Sequence, residues 1–218
     1  MEFINSFKQP ENNNLISFEG IDGCGKSTQI ELLKNYLDKN HYNVLCLREP
    51  GGTKFGEKLR QAILESTEKL SPSAEAFLFA SSRAQLLEEL ALPFISKSKR
   101  NICILDRYIH SSLAYQGFAR SLGTEKIINI HNTYPLNVIP NITFYLDITV
   151  ETSTKRQENR NQKKDYFEKE KLKFFEKLVD GYNASENLIP NKFKKINGEL
   201  DKSEIHKIIV QDFENLKR

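Results

Sequence analysis

Short apolar runs alternate with longer stretches of helical period along this chain, and that alternation is the signature of β-α-β units around a parallel sheet. "NLISFEG" is the first strand. Behind it, Lys26 to Asn40 repeats apolar residues at Ile30, Leu33 and Leu37, which places them on one face of an amphipathic helix. "NVLCLREP" reads as a buried strand stopped by Pro50. A helix from about Lys54 carries Leu59, Ile63 and Leu64. "SPSAEAFLFASSRAQLLEEL" begins with Ser71 as a cap, Pro72 at the first helical position and Glu75 near the first turn. It stays apolar for several turns, so it is expected to be the longest buried helix. "NICILD" and "NITFYLD" supply two more strands that end in acids, the second after a connection holding Pro135 and Pro140. The segment from Ser153 to Lys164 is charged and free of apolar residues, the pattern of a mobile excursion. Phe174, Leu178 and Tyr182 then share a helical face, "KFKKIN" reads as a short edge strand, and Ile205, Ile208, Ile209, Phe213 and Leu216 mark a closing helix.

No repeat or linker-like shift divides the 218 residues, so 15–218 reads as a single domain, with a lid at about 153–165, behind a flexible polar arm at 1–14. The opening "MEFINSFKQPENNN" has no basic stretch followed by an apolar one, and no apolar run approaches the ~20 residues that span a bilayer. No membrane association is expected. Thirty-two basic against 29 acidic side chains leave a formal charge of +3, a near balance that argues against a nucleic-acid surface. Cys24, Cys46 and Cys103 are odd in number and unrelated in position, which suits reduced thiols in a cytoplasmic protein. His41, His110, His131 and His206 are equally scattered and are expected at surfaces or helix ends.

Chemistry enters with "FEGIDGCGKSTQ". Gly20, Gly25, Lys26 and Ser27 satisfy G-x-x-x-x-G-K-[ST] between a predicted strand and a predicted helix, the context that makes a phosphate-binding P-loop credible. Glycines at 20, 23 and 25 let successive backbone N–H groups turn inward toward a polyphosphate, and the helix adds its positive end. Lys26 is expected to reach the β and γ phosphates of ATP and Ser27 to ligate Mg²⁺, with Cys24 and Thr28 completing the loop. A Gly-rich turn that merely links strand to helix is the alternative. A GTPase needs a base-reading N/T-K-x-D element, and the near match "NKFK" lacks the acid. What remains is a small kinase.

"REPGGT" (Arg48 to Thr53), "FASSR" (Phe79 to Arg83) and "DRYIHSSLAYQG" (Asp106 to Gly117) follow the P-loop in an order and spacing that resemble the motifs of thymidylate kinases. The resemblance implies a three-layer α/β fold of the P-loop NTPase type, with about five parallel strands and helices on both faces. It also implies the reaction ATP + dTMP giving ADP + dTDP. A nucleoside monophosphate is already mostly dianionic at neutral pH, its second pKa lying near ~6, so the hard part is bringing two anions together. Arginines and a metal do that.

By resemblance, Arg48 and Arg107 face the acceptor phosphate. Asp106 ends the "ICILD" strand, where a carboxylate can hold Mg²⁺ directly or through water, a buried ion pair with Arg107 being the alternative, and Glu49 beside Arg48 can orient it or join the metal's water shell. Phe79 and Arg83 are four apart and share a helix face, offering a ring to stack on thymine and a guanidinium for its carbonyl. Phe77 would then be the core residue. Ser112, Tyr115 and Gln116 fall at base and sugar contacts, and Asp22 at the acid turned to the 3′-hydroxyl. The P-loop carries glycine at 23 where some members place arginine, and "KRQENRNQKKDYFE" provides Arg156 and Arg160 instead, resembling the lid type common among bacteria. Arg160 is the preferred lid arginine for the transferring phosphoryl group, and a homodimer is implied. Another nucleoside monophosphate or deoxynucleoside kinase is the alternative within enzymes. An idle nucleotide-binding protein is the alternative outside them.

Overall fold

In the computed structural model of the chain, residues 6–158, 166, 167, 170 and 172–217 are described. Among them, strands β1 (Leu15–Glu19), β2 (Asn43–Arg48), β3 (Asn101–Asp106), β4 (Ile142–Asp147) and β5 (Lys192–Asn197) form one parallel sheet in the order β2-β3-β1-β4-β5. Every residue of β1 is buried, because the central strand has a neighbour on each side and helices over each face. Ile16 pairs with both Ile104 and Ile142, and Phe18 lies between Asp106 and Phe144. Strand pleating sends Ile16, Ile102 and Ile104 into one apolar layer and Leu15, Cys103 and Leu105 into the other. The expected α/β architecture is therefore present, and its two cores arise from simple alternation.

Helices α1 (Lys26–Lys39), α2 (Lys54–Leu64), α3 (Pro72–Leu86), α4 (Leu92–Ser96), α5 (Ile109–Ser112), α6 (Thr124–Ile130), α7 (Val150–Glu158), α8 (Leu172–Ser185) and α9 (Lys202–Lys217), with π turns at Leu87–Ala91 and Leu113–Ala119, complete the described elements. Ser71 caps α3 by accepting from the Ala74 N–H at 3.2 Å, with Pro72 at the start, as its sequence predicts. The run continues through a widened π turn, Leu87–Ala91, into α4. Pro93 explains the widening. Its ring would meet the Glu89 carbonyl four residues back in a regular helix, and the wide turn moves that carbonyl away. None of the described helices is long and apolar enough to cross a membrane.

Three expectations need correction. β2 is an edge strand with only Leu47 buried; no strand lies along its outer edge, and apolar residues such as Val44 are half-covered. The polar arm is docked over its described residues: Lys8 bridges Val138 in parallel, donating to Asn137 O at 2.9 Å and accepting from Ile139 N–H at 2.8 Å. Asn141 fastens the same segment, its Nδ2 donating to Pro10 O at 2.7 Å while its Oδ1 accepts from Leu15 N–H at 3.1 Å. His110 in the first turn of α5 and His131 at the C-cap of α6 do lie at helix ends, but both are buried instead of at the surface, and burial pushes their pKa values down to about 4 and about 3. Both are neutral at pH 7.

Asn141→Ala leaves the Leu15 amide and the Pro10 carbonyl without this partner and should lower the unfolding free energy by about 1–3 kcal/mol in urea titration. Trypsin cleavage after Lys8 should accelerate in the same variant.

Candidate active site

The carboxyl ends of β1, β2 and β3 open onto the same edge of the sheet, where an open parallel sheet presents its backbone to ligands. The chain leaves β1 through Gly20, whose φ of 136° belongs to glycine. A Cβ there would sit 2.6 Å from Leu146 O of β4 and 2.7 Å from Cys24 Sγ. The loop is thus pressed against the neighbouring strand, and Cys24 is buried in it. α1 begins immediately after Gly25 with no side-chain cap and no acid in its first turn. Its free N–H groups and dipole are left for an anion. The Lys26 ammonium donates to Gly20 O at 2.9 Å and Ile21 O at 3.3 Å, curled over the loop it would serve.

Gly23 answers to a different neighbour. A Cβ there would meet Ser153 O at 3.2 Å and Arg156 Cβ at 3.4 Å, because α7 lies on the loop. Arg156 donates to Gly23 O at 3.0 Å and Gly198 O at 3.2 Å, and Ser153 Oγ donates to Asp22 O at 2.6 Å. Arg160 and most of the expected lid lie outside the described residues.

Two hollows flank the loop. The first is lined by Asp22, Glu49, Arg107, Tyr115, Gln116 and Phe79, among others. Arg107 takes a left-handed backbone at φ 72°, a conformation that costs a non-glycine residue about 1–3 kcal/mol and is held here by its N–H bond to Phe18 O. Its guanidinium is fixed by Asp22 at 2.6 Å, by Gly20 O at 2.9 Å and by the Tyr182 hydroxyl at 2.9 Å. Beneath it Glu19 is fully buried, accepting from the Tyr108 N–H at 2.8 Å and Ser111 Oγ at 2.6 Å. Burial pushes the Glu19 carboxyl up, and those hydrogen bonds with the Arg107 charge oppose it.

Several expected site residues take other places. Arg83 is only 1% exposed and does not line this cavity. Its Nε donates to Glu49 Oε2 at 2.6 Å, and its Nη1 meets Ser112 Oγ at 3.0 Å and His131 Nε2 at 2.5 Å. Ser112 therefore faces Arg83, and its neighbour Ser111 lines the cavity. Arg48 is also elsewhere: it extends beside the second hollow and pairs with Glu57 of α2 at 3.0 Å. Strand pleating turns Arg48 and Glu49 to opposite sides, and only Glu49 reaches the first cavity. Phe77 is 59% exposed, so it is Phe79 that turns inward, against Phe167 in an edge contact at 6.1 Å.

Sequence reasoning missed Arg60, Phe167 and Glu19. Arg60 lines the cavity and donates to Pro50 O at 3.1 Å; it was hidden among ordinary basic residues of an amphipathic helix. Glu19, an acid closing an apolar strand, had a visible signal.

The second hollow contains Ser27 and Asp106, with Arg48 and Glu57 at its rim. Asp106 Oδ1 is buried without a hydrogen-bond partner among the described residues. A buried carboxylate oxygen in that state, beside a serine hydroxyl, fits a hard divalent cation. No group of three His, Cys, Asp or Glu gathers among the described residues, so such a cation would take its remaining ligands from water and phosphate, as Mg²⁺ does.

Gly20→Ala should abolish ATP binding in calorimetry, since the new methyl displaces the loop from Leu146. The Glu49 carboxyl is pushed from 4.5 up to about 7 by burial, against the opposing charge and hydrogen bond of Arg83. Its stabilising contribution is complete below about pH 4.5 and is lost as pH rises through about 7. Glu49→Gln should flatten that part of the stability–pH profile measured by urea midpoints.

A thymidylate kinase family model matches residues 18–209. A thymidylate kinase of Thermoanaerobacter sp. strain X514 is 46% identical over 195 residues, covering 89% of this chain and 94% of the relative. One from Caldanaerobacter subterraneus subsp. tengcongensis is 44% identical, covering 91% and 94%. The crystal structure of thymidylate kinase from Ehrlichia chaffeensis superposes with a TM-score of 0.73 at 27% identity, over 93% of this chain and 98% of that one. A P-loop, an arginine- and aromatic-lined cavity beside it and this extent of likeness together place the chain in the thymidylate kinase family.

Proposed function

We propose that this protein transfers the γ-phosphoryl group of Mg-ATP to dTMP, giving ADP and dTDP. The observation that carries the proposal is the pairing of an uncapped, glycine-built helix start with a separate cavity lined by both arginines and aromatic rings. Each kind of group has its own work. Arg107, with Arg60, draws in the acceptor phosphate, and Phe79 with Phe167 offers apolar faces to the base. Asp22 keeps Arg107 in place and can accept from the sugar's 3′-hydroxyl. Tyr115 lies under the Arg107 guanidinium at 5.3 Å and closes the sugar side, while Gln116 faces the base.

On the donor side, the N–H groups of Gly23, Cys24, Gly25, Lys26, Ser27 and Thr28 surround the phosphates, and Lys26 swings from the loop carbonyls to the β and γ phosphates. Ser27 and Asp106 would hold Mg²⁺, which supplies charge neutralisation for the phosphates when bound. Little general-base chemistry is needed. The two anions are brought into line by fixed cations in a site that excludes water. Residues 15–218 act as one domain, with a lid at about 153–165 that closes over ATP; Arg156 steadies the loop and Arg160 reaches the transferring group. The protein works as a cytoplasmic homodimer, a reading supported by the exposed Phe77 on α3 and Phe55 on α2.

A coupled assay offering dTMP, dUMP, dCMP, AMP, GMP and thymidine separately with Mg-ATP should give the highest kcat/KM for dTMP. Preference for another acceptor would reject the proposal. Arg107→Ala should reduce kcat/KM for dTMP by about 100-fold or more. Arg160→Ala should lower kcat far more than it raises the dTMP KM, and unchanged turnover removes it from the mechanism.

A further inference from the structure

We infer that Glu75 is a positioning residue for acceptor selection: it locks the Gln116 side-chain amide with its carbonyl oxygen available to the base, so that the cavity takes a pyrimidine that donates at N3 and refuses one that accepts there. The inference rests on the proposed acceptor reading. Glu75 lies in the first turn of α3 and is 0% exposed, and Gln116 lies in the π turn after α5 and is 1% exposed. Gln116 Nε2 donates to Glu75 Oε1 at 2.8 Å. Arg120 Nε reaches both oxygens of the same carboxylate, at 3.1 and 3.4 Å, so Glu75 is held from its far side.

An ionised carboxylate only accepts, and an amide donates at one end and accepts at the other. Turning the Gln116 amide over would set two acceptor oxygens 2.8 Å apart in a buried place, so a single orientation survives. Burial pushes the Glu75 carboxyl up, and the Gln116 and Arg120 donors oppose that. With one N–H of its NH₂ tied to Glu75 and the orientation thereby set, Gln116 keeps Oε1 as the acceptor that can meet a ligand in the cavity it lines. Thymine and uracil carry N3–H and can donate to that oxygen. Cytosine presents a lone pair at N3, and two acceptors would face each other.

The shared N3–H of thymine and uracil supplies an internal control. Glutamine at position 75 can offer either end of its own amide, so the Gln116 amide is no longer fixed. In Glu75→Gln, the kcat/KM preference for dTMP over dCMP should fall by about tenfold or more, through a raised dTMP KM, while kcat for dTMP changes little. The preference for dTMP over dUMP should stay as it is. An unchanged dTMP/dCMP ratio, or equal changes in both ratios, would overturn the inference in favour of a purely structural ion pair.

A second measurement needs no variant and no turnover. The Gln116 side-chain NH₂ protons, assigned by ¹⁵N NMR, should be protected from exchange in the ligand-free protein and remain so with dTMP bound. Rapid exchange that slows only when dTMP binds would show that the NH₂ end faces the ligand, and would also overturn the inference. Failure of the wild-type protein to phosphorylate dTMP would instead count against the acceptor reading, since the exchange measurement reports the amide orientation independently.

Discussion

The approach of the loop after β1 to the backbone of β4 is the constraint on which the site depends. Gly20 lets the chain turn within van der Waals reach of Leu146 O, and the turn brings its carbonyl to both Lys26 Nζ and the Arg107 guanidinium. Lys26 and Arg107, the cations proposed for the donor and the acceptor, are therefore referenced to one peptide group. A phosphoryl transfer between two anions requires that kind of shared frame, because displacements of about 1 Å can cost two orders of magnitude in rate. The central position of β1 supplies the rigidity: both its neighbours are strands and all five of its residues are buried.

Behind that frame the cavity proposed for the acceptor is backed by buried charge. Glu49 with Arg83, Glu19 with Arg107 nearby, and Glu75 with Arg120 all sit at or near zero exposure on their acidic side. Such groups contribute little net stability, since desolvation offsets most of their mutual attraction. Their value is orientation. Arg83 is gripped by Glu49, Ser112 and His131 and stacks on Tyr108 at 4.7 Å, and so holds Glu49 at the cavity wall. His131 Nδ1 bonds Ile127 O at 2.7 Å, which leaves Nε2 as the acceptor that Arg83 needs. The low pKa of this histidine, caused by burial, is consistent with that neutral form.

The same network shows why residue roles read from spacing went astray in places. Phe79 and Arg83 do share a helix face, yet the ring turns to the cavity edge while the guanidinium is drawn into the carboxylate behind it. Arg48 lies outside this cavity because Glu57 of α2 captures it, and Arg60, for which the sequence offered no role, lines the cavity instead. Phe77 and Phe79 could not be separated by hydrophobicity; only the packing of α3 decides which one is covered.

The amino-acid order determined much by itself. Strand runs, helix periods, the Ser71-Pro72 start and the G-x-x-x-x-G-K-S loop are local signals, set by backbone sterics and by period-2 or period-3.6 alternation over a few residues, and they hold wherever the segment is placed. Strand order, the edge position of β2, the docking of residues 6–14, the burial of His110 and His131 and the gathering of Arg60 and Phe167 in one cavity were decided by tertiary structure. These depend on which groups far apart in sequence meet and exclude water from one another, and no local pattern encodes that pairing.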